Sequence, residues 1–322
     1  MEPHIQSQIA KNSRAIWSIV ALAAIAVLFG YHVTALGIDF GGSFKAFFVI
    51  PVIVAVSYYY SRWRPDPWIA TGVESCAQIT SILLLGMMLT YPLATTAFPY
   101  RDHELNALDV AMGFDWQAYL DFFNVRPKLA LLSKVAYCSM QLQYPFAILA
   151  LTASSRFLRL QQYIFAIVVS LAITLVIFTF VPAVGAYAYL HVSADHYANL
   201  DPIMTFEQMR QVEAMRNKSW SVIRDMEGLI SFPSFHTISA ILFTWVLFPI
   251  RKLRWWVLSL NVALIASTPV QGAHYFIDIL AGGLVSIIAI LSAPLLARDY
   301  KFSSSKSRLA EQQDVRASPV ES

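Results

Sequence analysis

The apolar residues of this chain come in blocks of about 20, the length an α-helix needs to cross the roughly 30 Å hydrocarbon core of a bilayer. Eight blocks can be drawn, at about 15–36, 44–61, 69–94, 129–152, 159–190, 232–250, 255–271 and 274–297. Inside lipid only helices and closed barrels satisfy their own backbone. The pattern therefore predicts an all-α, polytopic transmembrane helix bundle of about eight spans. Composition agrees: 57% of the 322 residues are hydrophobic and 13% are charged, against about 25% charged in a soluble domain. The bilayer is the first expected partner, and a net charge of +3 gives no reason to expect nucleic acid.

Several details follow from the same blocks. Lys11 and Arg14 before the first block give it the look of a signal peptide, but it lacks a small-residue cleavage site and reads as a retained helix. The block at 44–61 is short, and the one at 159–190 is long enough to project beyond the bilayer. Pro145, Pro182 and Pro249 are expected to kink or end their helices. Gly282-Gly283 should allow a close helix approach. Cys76 and Cys138 both lie in apolar blocks and read as small hydrophobes, with no disulfide framework.

Charge orients the chain. Lys11 and Arg14, Arg62 and Arg64, Arg156 and Arg159, and Arg251, Lys252 and Arg254 fall on one side. Arg298, Lys301, Lys306, Arg308 and Arg316 in the tail fall there too. The opposite side holds two long loops of mixed charge, about 95–128 and 191–231. An integral, multi-pass protein with both termini in the cytoplasm is expected, in the plasma or inner membrane if the chain is bacterial. Residues 1–65 read as extra N-terminal transmembrane helices, 66–298 as the main membrane domain, and 299–322 as a disordered cytoplasmic tail rich in Ser, Lys, Gln and Glu.

Against this background the ionisable residues at helix mouths stand out, because they are costly in a membrane without a partner or a task. His274 and Asp278 are four apart, so on a helix they share one face. The carboxylate can then hold one ring nitrogen and raise the nucleophilicity of the other. The plain alternative is a polar pair capping a helix. Ser231-Phe232-Pro233-Ser234-Phe235-His236 opens the sixth block. A serine cap at a helix N-terminus is a natural anion site, and His236 adds a proton donor in the first turn. The plain alternative here is an ordinary N-cap followed by an interfacial histidine. Taken together, the two segments supply a nucleophile, its orienting carboxylate and a general acid.

Other polar residues carry weaker readings. Glu74 lies inside the third block, far in depth from the histidines, where it either pairs within the bundle or marks a polar cavity. His191, Asp195 and His196 have spacings that can hold a metal but read better as a solvated loop, so no metal site is expected. Trp63, Trp68, Trp255 and Trp256 mark a membrane interface.

The two segments resemble the second and third signatures of the type 2 phosphatidic acid phosphatase superfamily, P-S-G-H and S-R-x5-H-x3-D. Here they read Pro233-Ser234-Phe235-His236 and Ser267-Thr268-x5-His274-x3-Asp278. Phe235 stands for the glycine and Thr268 for the arginine, a form similar to the inositol phosphorylceramide synthase branch and bacterial proteins grouped with it. The stretch Leu108–Tyr119, LDVAMGFDWQAY, also resembles that bacterial group. The family's first signature, K-x6-R-P, is absent from the loop before the sixth block. Its nearest substitutes are Arg216, Lys218 and Arg224. Arg126-Pro127 is a formal match, but Tyr119 stands where the lysine should be.

The resemblance implies a six-helix phosphatase-like core and a phosphohistidine mechanism. His274, oriented by Asp278, attacks a lipid-linked phosphate, and His236 protonates the leaving oxygen. Ser234, Arg216 and Lys218 bind the phosphate. No cofactor is implied. Water as acceptor gives a phosphatase, and an alcohol gives a phosphotransferase. Two other classes use the same residues: a His/Asp proton-relay transporter and a non-catalytic lipid-binding member.

Overall fold

The computed structural model describes residues 3–39, 49–64, 66–192, 197, 199–200, 202, 212–217, 219, 222–223 and 228–297. Lys218, Arg224, Asp195, His196 and the tail beyond residue 297 lie outside the described residues.

The chain is an all-α bundle. Its long helices are α1 (Pro3–Thr34), α2 (Val49–Arg62), α3 (Pro67–Ala94), α6 (Pro127–Ala153), α7 (Phe157–Phe180), α9 (Phe235–Leu247), α10 (Arg254–Gly272) and α11 (Phe276–Ser292). The short helices α4 (Asp102–Ala111), α5 (Trp116–Asn124) and α8 (Ala186–Tyr189) lie in the connections. Among the described residues, the β-structure is one two-residue parallel pair, Gly37–Ile38 with Val222–Ile223. A long helix lies within each expected block, although the block at 159–190 holds two separate helices, α7 and α8.

Four helical segments, Ile5–Thr34, Pro67–Ala94, Phe157–Phe180 and Phe276–Leu296, are long and apolar enough to cross a membrane by length and composition. The pattern of exposure is that of a membrane protein. Leu28, Leu142 and Leu291 are each more than 70% exposed on their helices. Ser170, Thr174, Ser239 and Ser286 are buried between helices. Lipid-facing leucines gain nothing by turning inward, whereas small polar residues pack closely between helices. The serine hydroxyls return to their own helix, as in Ser239 to the Phe235 carbonyl (2.8 Å) and Ser286 to that of Gly282 (2.7 Å).

Local chemistry sets the helix ends. Asp66 caps α3 by accepting from the Trp68 and Ile69 amides (2.9 and 3.1 Å), with Pro67 in the first turn. α6 runs helically through Pro145. The block expected to continue to residue 190 stops at Phe180, and a non-helical segment separates α7 from α8. The reason is Pro182, which disfavours helical backbone at Val181 before it. Cys76 packs against the main core, whereas Cys138 is exposed rather than packed, and both are free thiols.

α7 is central: it packs against α1, α3, α6, α9 and α11. Its Leu160, Tyr163, Ile164 and Ile167 form the core with Leu151 and Phe243. α9 is enclosed by α6, α7, α10 and α11. Gly282 makes the α9–α11 contact possible, because a Cβ there would stand 2.8 Å from the Ser234 carbonyl oxygen. Gly283 has ordinary space around it, so the close approach rests on Gly282. α4 lies across the start of α11 at the end of the bundle that also holds α5 and α8. That end is called the loop end below.

Candidate active site

Two helix starts meet at the loop end. Ser234 caps α9 from an extended backbone, its hydroxyl accepting from the Thr237 amide at 3.4 Å. Ser231, the other serine of this segment, has a buried hydroxyl without a partner among the described residues. The Ser234 amide donates to the Asp278 carbonyl at 3.2 Å, which ties the start of α9 to α11. His236 follows in the first turn and stacks on Tyr137 of α6, with ring centres 3.9 Å apart and planes 18° from parallel. His236 is half-buried, and Ser234 is fully buried.

The second start is the turn between α10 and α11. Ala273 ends α10 in the left-handed conformation (φ 52°). The chain then extends through Tyr275 into α11. One oxygen of Asp278, Oδ2, accepts from two donors. His274 Nδ1 lies 3.1 Å away, and the Tyr275 amide is at 2.9 Å. The neutral tautomer that donates from Nδ1 to the carboxylate leaves the lone pair on Nε2. The other oxygen, Oδ1, is buried without a partner among the described residues. His274 is 3% exposed and Asp278 is completely buried. The rings of His236 and His274 are 6.3 Å apart at 59°. The packing is tight here: a Cβ on Gly272 would come within 2.7 Å of the Tyr137 hydroxyl and 2.8 Å of His274 Cδ2. Thr268 is buried and its hydroxyl donates to the Ile265 carbonyl (2.8 Å).

Two further carboxylates reach this turn from α4, and sequence reasoning missed both. Asp109 accepts from the Phe276 amide at 2.7 Å and the Ile277 amide at 2.8 Å. Asp102 accepts from the Tyr275 hydroxyl, the Gly185 amide and the Val184 amide, each at 3.0 Å. Gly185 has φ 94°, which favours glycine, and the next amide, Ala186, donates to the Ala273 carbonyl at 2.9 Å. Burial pushes both carboxyls above their ordinary range, partly opposed by these hydrogen bonds. The available signal was Asp109 and Asp115 within LDVAMGFDWQAY. Asp115 is a local cap for α5, accepting from Ala118, whereas the partners of Asp109 are 167 and 168 residues away. Tyr137 was also missed, since a tyrosine in an apolar block looks like core.

The structure thus brings together Ser234, His236, His274 and Asp278. Arg216 stands on a different support. Its guanidinium donates to the Phe98 carbonyl (2.5 Å) and lies over the Tyr100 ring at 3.9 Å. The Tyr100 hydroxyl donates to Glu213 (3.0 Å). A cavity of about 620 Å³ opens beside α4 and α5, with Asn106, Phe114, Trp116, Gln117, His191 and Tyr197 in its wall. His236 and His274 do not line it. Among the described residues, no group of three or more His, Cys, Asp or Glu side chains has a metal-binding arrangement. Glu74 pairs within the bundle: Ser13 makes a short hydrogen bond to it, and Trp17 Nε1 donates to it at 3.0 Å.

A family model described as the PAP2 superfamily matches residues 103–292, more than half of the chain. The matched region runs from α4 into the last turn of α11 and includes both histidine segments. No curated protein and no solved structure matches the chain.

Proposed function

The chain belongs to the PAP2 superfamily, and from that premise we propose that it transfers phosphoryl groups from a lipid-linked phosphate through a phosphohistidine on His274. Membership supports phosphoesterase activity of the phosphatase type at a membrane. The observation that carries the finer reading is the facing pair of imidazoles, with Asp278 on Nδ1 of His274.

In the first half of the reaction, Nε2 of His274 attacks phosphorus and an N–P bond forms. The ester P–O bond breaks, and the departing oxygen takes a proton from His236. In the second half, an acceptor hydroxyl gives its proton to His236. Its oxygen bonds to phosphorus, and the N–P bond breaks. Charge developing on the phosphoryl oxygens is met by the N-terminus of α9, Ser234 and the basic loop residues Arg216 and Lys218. In this scheme no step is assigned to a metal.

Water as acceptor makes the reaction a hydrolysis, and an alcohol makes it a transfer. Phe235 and Thr268 favour the alcohol, as in the inositol phosphorylceramide synthase branch. The Thr268 hydroxyl bonds to its own helix rather than facing outward, so the arginine's role passes to other groups in this reading. The charge bias of the short connections supports an active site on the extracytoplasmic side, with both termini in the cytoplasm.

The test is phosphate release from a panel of lipid phosphates by the purified protein, with and without chelator and with labelled acceptor alcohols. Chelator-insensitive turnover, lost in His236→Ala and His274→Ala, is the expected result. Full turnover by His274→Ala, or solute transport without turnover, overturns the proposal.

A further inference from the structure

We infer that Asp102 and Asp109 of α4 are positioning residues that hold the His274 turn in its reactive geometry. The loop helix is then a working part of the active site and not merely its cover. This inference rests on the reading of His274 as nucleophile.

The anchoring falls on consecutive residues. Asp109 takes the amides of Phe276 and Ile277. Asp278 takes the amide of Tyr275. Asp102 takes the hydroxyl of that same tyrosine. These residues follow His274 directly. Asp102 also takes the amides of Val184 and Gly185, and the adjoining Ala186 amide reaches the carbonyl of Ala273, the residue before His274. The turn is therefore gripped on both sides. The ring of Phe114, beyond the end of α4, lies on that of Phe276 with centres 5.1 Å apart and planes 9° from parallel. Asp102 and Asp109 are 3% and 1% exposed, so neither has a role as a solvated surface charge.

Two consequences follow for the chemistry. The amides of Tyr275, Phe276 and Ile277 are engaged by carboxylates and that of Asp278 donates to the Tyr275 carbonyl (3.1 Å), so the positive end of that helix is occupied. A substrate phosphate is left the N-terminus of α9, beside Ser234 and His236. In addition, Asp278 Oδ2 accepts from both the Tyr275 amide and His274 Nδ1. Fixing Tyr275 fixes the carboxylate, which in turn fixes the imidazole. Loss of the grip lets His274 turn away from the phosphoryl group, and small misplacements of a reacting atom are costly in rate. An ordinary helix cap predicts something different: a loss of stability with no separate loss of turnover.

The test uses the full-length protein in lipid nanodiscs, with Asp109→Ala, Asp109→Asn and Asp102→Asn. Turnover is measured on a lipid phosphate, thermal unfolding is followed, and amide hydrogen exchange is read across residues 274–278. Asp109→Ala is expected to lower kcat by about 10- to 100-fold, with KM within about twofold of the parent. Exchange at residues 275–277 should rise while the rest of the bundle is unchanged. Asp109→Asn, which keeps one acceptor oxygen, should recover part of kcat. Unchanged kcat in Asp109→Ala overturns the inference, as does a loss that tracks the unfolded fraction or a rise in KM alone. Unchanged exchange at 275–277 also overturns it, whatever the activity. His274→Ala with full turnover instead removes the nucleophile assignment and leaves the exchange result standing.

Discussion

The bundle carries a cluster of buried polar side chains at each end, and the two differ in how fully they satisfy themselves. At the end away from the loops, Ser13 and Trp17 of α1 bond to Glu74 of α3, and Gln78 reaches Ser13 at 3.0 Å. Asn12 donates to Gln161 of α7 (2.8 Å), and Gln161 donates to the Ile9 carbonyl (2.8 Å). None of these side chains is left with a buried atom lacking a partner. At the loop end, Asp278 Oδ1, Thr237 Oγ1, Ser231 Oγ and Gln271 Oε1 are all buried without a partner among the described residues. Unsatisfied buried polar atoms are rare in native structures. The first cluster closes on itself and holds helices together, whereas in the second the open atoms gather around the His274–Asp278 pair; single open atoms such as Thr152 Oγ1 and Arg254 Nε also occur at the other end. The same residue types therefore read differently: Glu74 as a staple for α1, and Asp278, in the proposed reaction, as the partner of His274.

The sharpest way to break this comparison is to remove one group from each end. His274→Ala should lower turnover by about a thousandfold or more while leaving the thermal midpoint close to the parent. Equal losses of both would place the loop-end cluster in the same structural class as the other. Gly282→Val comes next. Its side chain would meet the Ser234 carbonyl, so α9 and α11 must separate, at a cost of about 1 to 3 kcal/mol. Stability and kcat should fall together, because that contact sets the two histidine segments side by side. Glu74→Ala is milder. It leaves Ser13 and Trp17 without their acceptor and should cost about 1 to 2 kcal/mol. Turnover per folded molecule should be unchanged, and a drop in kcat with no drop in stability would refute the staple assignment.

Much of this architecture was legible in the chain because the signals were local. Hydrophobic blocks gave the helices, a serine before an apolar run gave the α9 cap, and a four-residue spacing gave the His274–Asp278 pair. The parts that were not legible depend on tertiary contact. Asp102 and Asp109 look like the acidic face of a surface helix until α11 arrives from more than 160 residues away. Tyr137 reads as core until His236 stacks on it. The support under Arg216, the Tyr100 ring and the Phe98 carbonyl, is likewise not revealed by spacing alone. The extent of α7 was misjudged for a different reason: hydrophobicity continues past Pro182, but helical backbone does not.

The smallest expected effect concerns pH and separates the α4 carboxylates from ordinary caps. An exposed cap carboxylate has its pKa lowered by the helix end, so its stabilising effect is lost in acid. Asp102 and Asp109 go the other way, because burial raises them more than their hydrogen bonds lower them. A carboxyl whose folded value lies above its unfolded value holds its proton longer in the folded state. Between the unfolded value, about 3.9 for Asp, and the raised folded value, the folded state binds more protons. Stability from these groups is therefore fully present below that window and falls as pH rises through it. Asp102→Asn or Asp109→Asn removes the titrating group, so the difference in unfolding free energy between parent and variant should change across the window and level off above it. Denaturant unfolding of each variant and the parent over a pH series measures this. If the parent instead gains stability relative to the variants as pH rises, the carboxylates act as ionised caps, and the distinction between the helix α4 supplies and a simple lid over α11 disappears.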